Sequence, residues 1–269
     1  MGHARDTYTH GHEDAVLRSH RWRTAENSAA YLLPHLRRGD RLLDVGCGPG
    51  TLTVDLARAV SPGEVIGIDV AGSVIAEASA HADDVGMNNV SFLTGDFRDV
   101  GLERGSFDLV HAHQVMQHLR DPVGAMETMA RLVRKGGLVA VRDSDYGAFT
   151  WSPSDSGLEK WRATYSSVAR SNGAEPDAGR LLLAWAHAAG WPEPIYSTST
   201  WTFATASDKS WWSQLWAERC TKSAFARQAL EYGIATHEDL ELLAEKWRSW
   251  AENPDAVFIV LHGEVLARF

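Results

Sequence analysis

A chain of 269 residues with 44% hydrophobic content is long enough for one large domain, or for a domain with a substantial insert, and has the composition of a soluble globular protein. With 26 Lys+Arg against 35 Asp+Glu the net charge is -9, which repels a phosphate backbone and sets nucleic acid aside as the main partner. Two cysteines, Cys47 and Cys220, indicate no disulfide framework and suit a reducing cytoplasm, and no apolar run reaches the ~18 residues that a membrane span needs.

Residues 1–39 read as a leader. MGHARDTYTHGH is polar, with no apolar signal-like core, HGHEDAVLRSHRWR has no structure that its pattern settles, and ENSAAYLLPHLRRGD reads as an amphipathic helix. From residue 40 to about 150 strand-like and helix-like stretches alternate. Strands are expected at RLLDVG (41–46), EVIGIDV (64–70), NVSFLTGD (89–96), FDLVHAHQ (107–114) and LVAVRDS (138–144), all rich in Val, Ile and Leu, as buried parallel strands are. Helices are expected at TLTVDLARAV, at VIAEASAHADDVG up to Gly86, and at DPVGAMETMARLVRKGG up to Gly136 and Gly137. The alternation implies a doubly wound parallel sheet with ligands at the carboxyl ends of its strands.

Over residues 151–269 the character changes, with ten of the eleven tryptophans at or beyond Trp151. Helices are expected at 155–171, 177–189 and 208–252, and strands at 194–204 and AVFIVLHGEV. The two late strands complete the sheet and the helices form an inserted cap.

The turn Asp44-Val45-Gly46-Cys47-Gly48-Pro49-Gly50 fits the first two glycines of the dinucleotide fingerprint, but Thr51 stands where the third belongs and Gly50 comes one residue early. Asp44 lies near the strand tip, where a pyrophosphate is repelled and a cationic ammonium or sulfonium attracted. Asp69 ends the second strand 19 residues after Gly50, near the ~20-residue offset of an acid that accepts ribose hydroxyls. Asp96 and Phe97 end the third, where a carboxylate suits an adenine amino group and a ring suits a base face. Ammonium, ribose and adenine each have a partner, and no residue serves a phosphate.

The series LLDVGCGPG, GIDV, GDF, FDLVHAHQVMQHL and LVRKGG, over about residues 40–145, resembles the ordered motifs of class I S-adenosylmethionine-dependent methyltransferases, above all the quinone-biosynthesis and natural-product group. The resemblance implies an α/β, Rossmann-like, doubly wound and mostly parallel sheet of seven strands with a reversed last strand. It implies S-adenosylmethionine as cofactor, S-adenosylhomocysteine as product, and a small-molecule acceptor with an O, N or C nucleophile. It puts Asp44, Gly46, Cys47, Gly48 and Gly50 around the methionine part, Asp69 with Val70 at the ribose, Asp96 and Phe97 at the adenine, and His113 and Gln114 beside the sulfonium. Cys47 is expected to pack rather than react. In the leader, Tyr8 and Arg23 are the candidates to close over the cofactor, Arg23 by pairing with its carboxylate.

His118, or His20 from the leader, is the candidate catalytic base. The dense group His111, His113 and His118 lacks a carboxylate or cysteine set at ligand spacing, so no metal is expected. Trp151, Trp161, Trp201, Trp211, Trp212 and Trp216 are expected to pack the cap, some of them lining a pocket for an apolar or ring-containing acceptor. No Lys/Arg cluster interleaves with them as nucleic-acid stacking requires. A monomer or homodimer is expected. Two other readings stand beside methyl transfer: an S-adenosylmethionine-binding cyclase or sensor, and an NAD(P)-dependent oxidoreductase, which Asp44 and Thr51 oppose.

Overall fold

The computed structural model describes residues 6–11 and 13–269, so residues 1–5 and His12 of the expected leader lie outside the described residues. The leader contributes helix α1 (Asp14–Arg21), the single turn α2 (Ala25–Ser28) and a 3-10 turn at Leu33–His35. The helix expected over ENSAAYLLPHLRRGD is therefore broken. Thr24 and Asn27 cap α2 reciprocally, and Pro34, which has no N–H to donate, opens a separate turn.

The alternating unit follows as β1 (Leu42–Val45), α3 (Thr51–Val60), β2 (Val65–Asp69), α4 (Gly72–Asp84), β3 (Val90–Thr94), β4 (Phe107–His113), α5 (Pro122–Leu132) and β5 (Val133–Ser144). The five strands run parallel in the order β3-β2-β1-β4-β5, which brings the ends of β1 and β4 side by side at the crossover. α5 stops earlier than the glycines suggested. Val133 already pairs with Phe107, and the Phe269 N–H donates to the Gly137 carbonyl at 3.1 Å, so the sheet claims the RKGG segment before the helix can.

The rest of the chain gives β6 (Thr150–Ser152), α6 (Ser156–Ser171), α7 (Ala178–Ala188), β7 (Ile195–Phe203), α8 (Ala206–Lys222), α9 (Ala224–Glu231), α10 (His237–Glu252) and β8 (Val257–Arg268). β8 lies between β5 and β7, antiparallel to both, and is the reversed strand. All seven expected strands are present. β6 is an eighth: three residues that pair with the start of β8 beyond the end of β5.

α7 packs on the sheet, where Leu182 and Ala186 join Val139 and Val265 in one core. α6, α8, α9 and α10 pack on one another around tryptophan instead. Trp161 is fully buried, with its ring edge-on to Trp216 and Trp247 at centroid distances of 4.4 and 4.8 Å. Each such ring contributes on the order of 4 kcal/mol through the apolar area it removes from water. Among the described residues no helix is long and apolar enough to cross a membrane.

Candidate active site

Between β1 and α3 the chain turns through Gly46, Gly48 and Gly50, whose φ values of +67°, +55° and +81° lie in the left-handed region that favours glycine. A Cβ at Gly50 would lie 2.8 Å from the Ala78 Cβ, whereas one at Gly48 would meet nothing closer than His20 Nδ1 at 3.7 Å. Gly50 therefore packs tightly and Gly48 faces open space under the leader. The Gly48 N–H donates to Asp69 Oδ2 at 3.1 Å, and the Ala71 N–H to Asp69 Oδ1 at 3.0 Å, so Asp69 ties the turn to the end of β2. Cys47 is a buried thiol, and burial, helped by Asp44 and Asp69, pushes its pKa up and keeps it protonated.

The acids stand differently from the simplest expectation. Asp44 is buried and already bonded on both oxygens, by the Thr53 hydroxyl at 2.6 Å and His111 Nδ1 at 2.8 Å, while it still lines a cleft with His20, Arg23, Gly48 and His113. Both its oxygens are therefore bonded from within the chain. Arg98 grips Asp96 through Nε at 2.9 Å and its terminal nitrogen at 2.5 Å, and also reaches Asp6 of the leader at 2.7 Å. The Phe97 ring is buried in the sheet core rather than laid open to a base, while Val70, just past β2, is 68% exposed.

The leader crosses this cleft, with the Thr51 hydroxyl donating to the His20 carbonyl at 3.2 Å. Arg23 donates to Gln114 Oε1 at 2.6 Å, its Nε is buried without a partner, and it pairs with no acid among the described residues. Burial, together with the like charges of Arg219 and Arg142, lowers its pKa to about 10, so it remains a cation at neutral pH. Gln114 holds the left-handed φ of +55° just past β4 and donates its amide to His262 Nε2 at 2.8 Å. His113 is buried beside it, with Nδ1 3.5 Å from Arg142.

His20 and Arg23 also line a second cavity, whose other walls include Tyr8, His118, Tyr146, Trp216 and Arg219. About 30 Å³ of it is free, room for water only. The Tyr8 and His118 rings meet edge-on at 4.7 Å, and Tyr8 Oη lies 3.4 Å from His20 Nε2. Burial pushes the Tyr8 phenol up to about 12. Burial, with Arg23 alongside, holds His118 down at about 3, and the same two causes lower His20 well below its ordinary value. Both imidazoles are thus neutral, and the expected base chemistry is opposed by the neighbouring cation.

Four residues here were not expected from sequence. His10 Nε2 lies 3.2 and 2.8 Å from the hydroxyls of Tyr146 and Tyr165, and Arg219 projects from the cap. A signal for Arg219 did exist: it continues the helix face of Trp212 and Trp216 at the i, i+4, i+7 spacing, a charge on an otherwise apolar stripe. Among the described residues no group of three or more His, Cys, Asp or Glu could hold a metal.

Residues 36–215 match a family described as a methyltransferase domain. An uncharacterized methyltransferase of Schizosaccharomyces pombe is 33% identical over 270 residues, spanning 96% of this chain and 95% of its own. A protein of Aspergillus luteorubrus named "Probable methyltransferase ltbC" is 30% identical over 281 residues, 97% of each chain. In fold, the chain is similar to a Haemonchus contortus phosphoethanolamine N-methyltransferase in complex with S-adenosyl-L-methionine, with a TM-score of 0.55 at 15% identity over 94% of this chain and 57% of that one. The chain belongs to the methyltransferase-domain family and is a class I S-adenosylmethionine-dependent methyltransferase. The oxidoreductase reading of the glycine turn is set aside.

Proposed function

We propose that S-adenosylmethionine lies in the cleft over the glycine turn, that the acceptor is a small molecule with an apolar or ring-containing body, and that it occupies the aromatic cavity beyond Arg23. The observation that carries this is that His20 and Arg23 line both spaces, so two ligands would meet across them. The unpartnered Nε of a buried Arg23 fits a carboxylate, with Tyr8 close by. Asp69 and Asp44 each accept one bond per oxygen and keep lone pairs for ribose hydroxyls and an ammonium. Gly46, Cys47, Gly48 and Gly50 let the ligand approach the backbone, and His113 and Gln114 flank the reacting end. At the base, exposed Val70 offers the open apolar face, while Asp96 shares itself with Arg98 and Phe97 acts by packing beneath.

Bound S-adenosylmethionine supplies a methyl group already activated on a sulfonium. The chain's part is to orient: alignment of nucleophile and methyl lowers the barrier by ~7–11 kcal/mol. His118 and His20, held neutral, accept a hydrogen bond from an acceptor hydroxyl and fix its direction. Residues 1–39 serve as a lid, 40–150 as the cofactor core and 151–269 as cap and closing strands. The two buried free cysteines suit the cytoplasm.

Calorimetry with S-adenosylhomocysteine tests the placement. Asp69→Ala is expected to weaken binding by about 1–3 kcal/mol through lost charge-assisted hydrogen bonds. Unchanged affinity would remove Asp69 from the site.

A further inference from the structure

We propose that the acceptor is an anion, bearing a carboxylate or an ionised phenol or enol on its ring, and that Arg219 is the residue that receives it. This rests on the placement of the acceptor in the aromatic cavity. Arg219, on α8, is only 4% exposed. Its guanidinium donates to the Ser19 hydroxyl at 2.5 Å and the Ala15 carbonyl at 3.3 Å, lies 4.9 Å from the Trp216 ring centre, and leaves Nε buried without a partner. None of these partners is an acid. A guanidinium is charged at every physiological pH, and a buried cation without a counter-charge is costly.

The acid beside it in sequence and the acid that precedes α1 each pair with another arginine. Glu218, its neighbour on α8, pairs with Arg18, and Glu13 of the leader pairs with Arg227 at 2.7 Å. Among the described residues no Asp or Glu lines the cavity, and Arg23 is a second cation on its wall. A chain with a net charge of -9 has thus built a pocket holding two positive charges and no negative one. Tyr146, Trp212 and Trp216 surround them with flat apolar faces suited to a ring. An anionic ring completes both requirements at once, entering as the leader side chains on the cavity wall give way. Where the ionised oxygen is itself the nucleophile, Arg219 holds it deprotonated, and no residue need remove its proton. That agrees with a neutral His118 beside Arg23.

The test is calorimetry on the full chain with S-adenosylhomocysteine present, using 2-naphthoate and its neutral amide, 2-naphthamide, as probes. The wild type is expected to bind the carboxylate about tenfold or more tighter than the amide. Arg219→Gln should lose that preference while its S-adenosylhomocysteine affinity stays unchanged. A second arm titrates 4-nitrophenol, whose ionised form absorbs in the visible. Enhanced visible absorbance on binding, lost in Arg219→Gln, assigns the phenol source, and a naphthoate preference alone assigns the carboxylate. Should Arg219→Gln not fold, Arg219→Lys keeps the charge and must keep the preference. A wild type that discriminates in neither arm, an Arg219→Gln protein that still discriminates, or an Arg219→Lys protein that does not, overturns the proposal. Failure of the wild type to bind S-adenosylhomocysteine in a separate titration would instead overturn the cofactor placement.

Discussion

On the sheet side of the site both oxygens of Asp44 and of Asp69 are bonded and Asp96 has a counter-charge, and on the cap side each arginine keeps a buried nitrogen without a partner. Asp44 has Thr53 and His111, Asp69 has two backbone N–H groups, and Asp96 has Arg98, so these carboxylates are oriented before any ligand arrives. Among the described residues Arg23 and Arg219, across the leader, hold only neutral partners, and each keeps a buried nitrogen without one. A network satisfied by the chain serves to hold a shape, as a cofactor cradle must. A network left incomplete is finished by what binds there.

If the two sides are separable in this way, damage to the cap should leave the cradle working. The largest effect is expected from Trp161→Ala, which removes a fully buried ring packed against Trp216, Trp247 and Phe258 and should lower unfolding stability by ~3–5 kcal/mol in urea titrations. The folded fraction should still bind S-adenosylhomocysteine with near wild-type affinity. A tenfold loss would break the division, because it would mean that the cap and not the sheet shapes the cofactor cleft.

A smaller effect is expected from Asp44→Ala, which strands the buried His111 Nδ1 and the Thr53 hydroxyl and should cost about 1–3 kcal/mol of stability. Asp44→Asn, which keeps an acceptor for one of them, should recover part of it. Equal thermal unfolding of both variants and the wild type would show that Asp44 is held for the ligand alone, with no structural share.

The unequal legibility of the two sides follows from the range of the interactions. Gly46, Gly48 and Gly50 declare themselves because a left-handed backbone is a local demand that few residues meet, and Asp69 because strand, turn and helix fix its offset from them. The doubly wound parallel sheet follows from alternation, and the reversed β8 from the resemblance of the motif series. Other features depend on residues far apart in sequence. Arg219 meets Ser19 across 200 positions, and Arg98 meets Asp6 across 92, so no spacing rule reaches them. The same holds for His118: its identity is visible, but not the burial and the Arg23 cation that keep it neutral. Where expectation failed locally the cause was also local or terminal, as with Pro34 in the leader and the Phe269 terminus that draws Gly137 into the sheet.

The smallest effect separates packing from charge within the cap itself. Lys160 on α6 donates to Asp239 on α10 at 2.5 Å, the one ion pair seen between these two helices among the described residues, and both groups are open to solvent. If tryptophan packing holds the cap, Lys160→Ala should move Tm by no more than about 2 °C, and less in high salt. The bond from Lys160, followed by those from Thr236, holds the Asp239 carboxyl below the ordinary carboxylate range. A carboxyl lowered by folding stabilises above its unfolded value of 3.8, and that contribution is lost as the pH falls below it. The small difference between wild type and Lys160→Ala should therefore be present at neutral pH and vanish in acid. A large Tm loss at neutral pH that disappears on acidification would show the opposite order, with this single charge contact binding α6 to α10 more firmly than the rings of Trp161 and Trp247 between them.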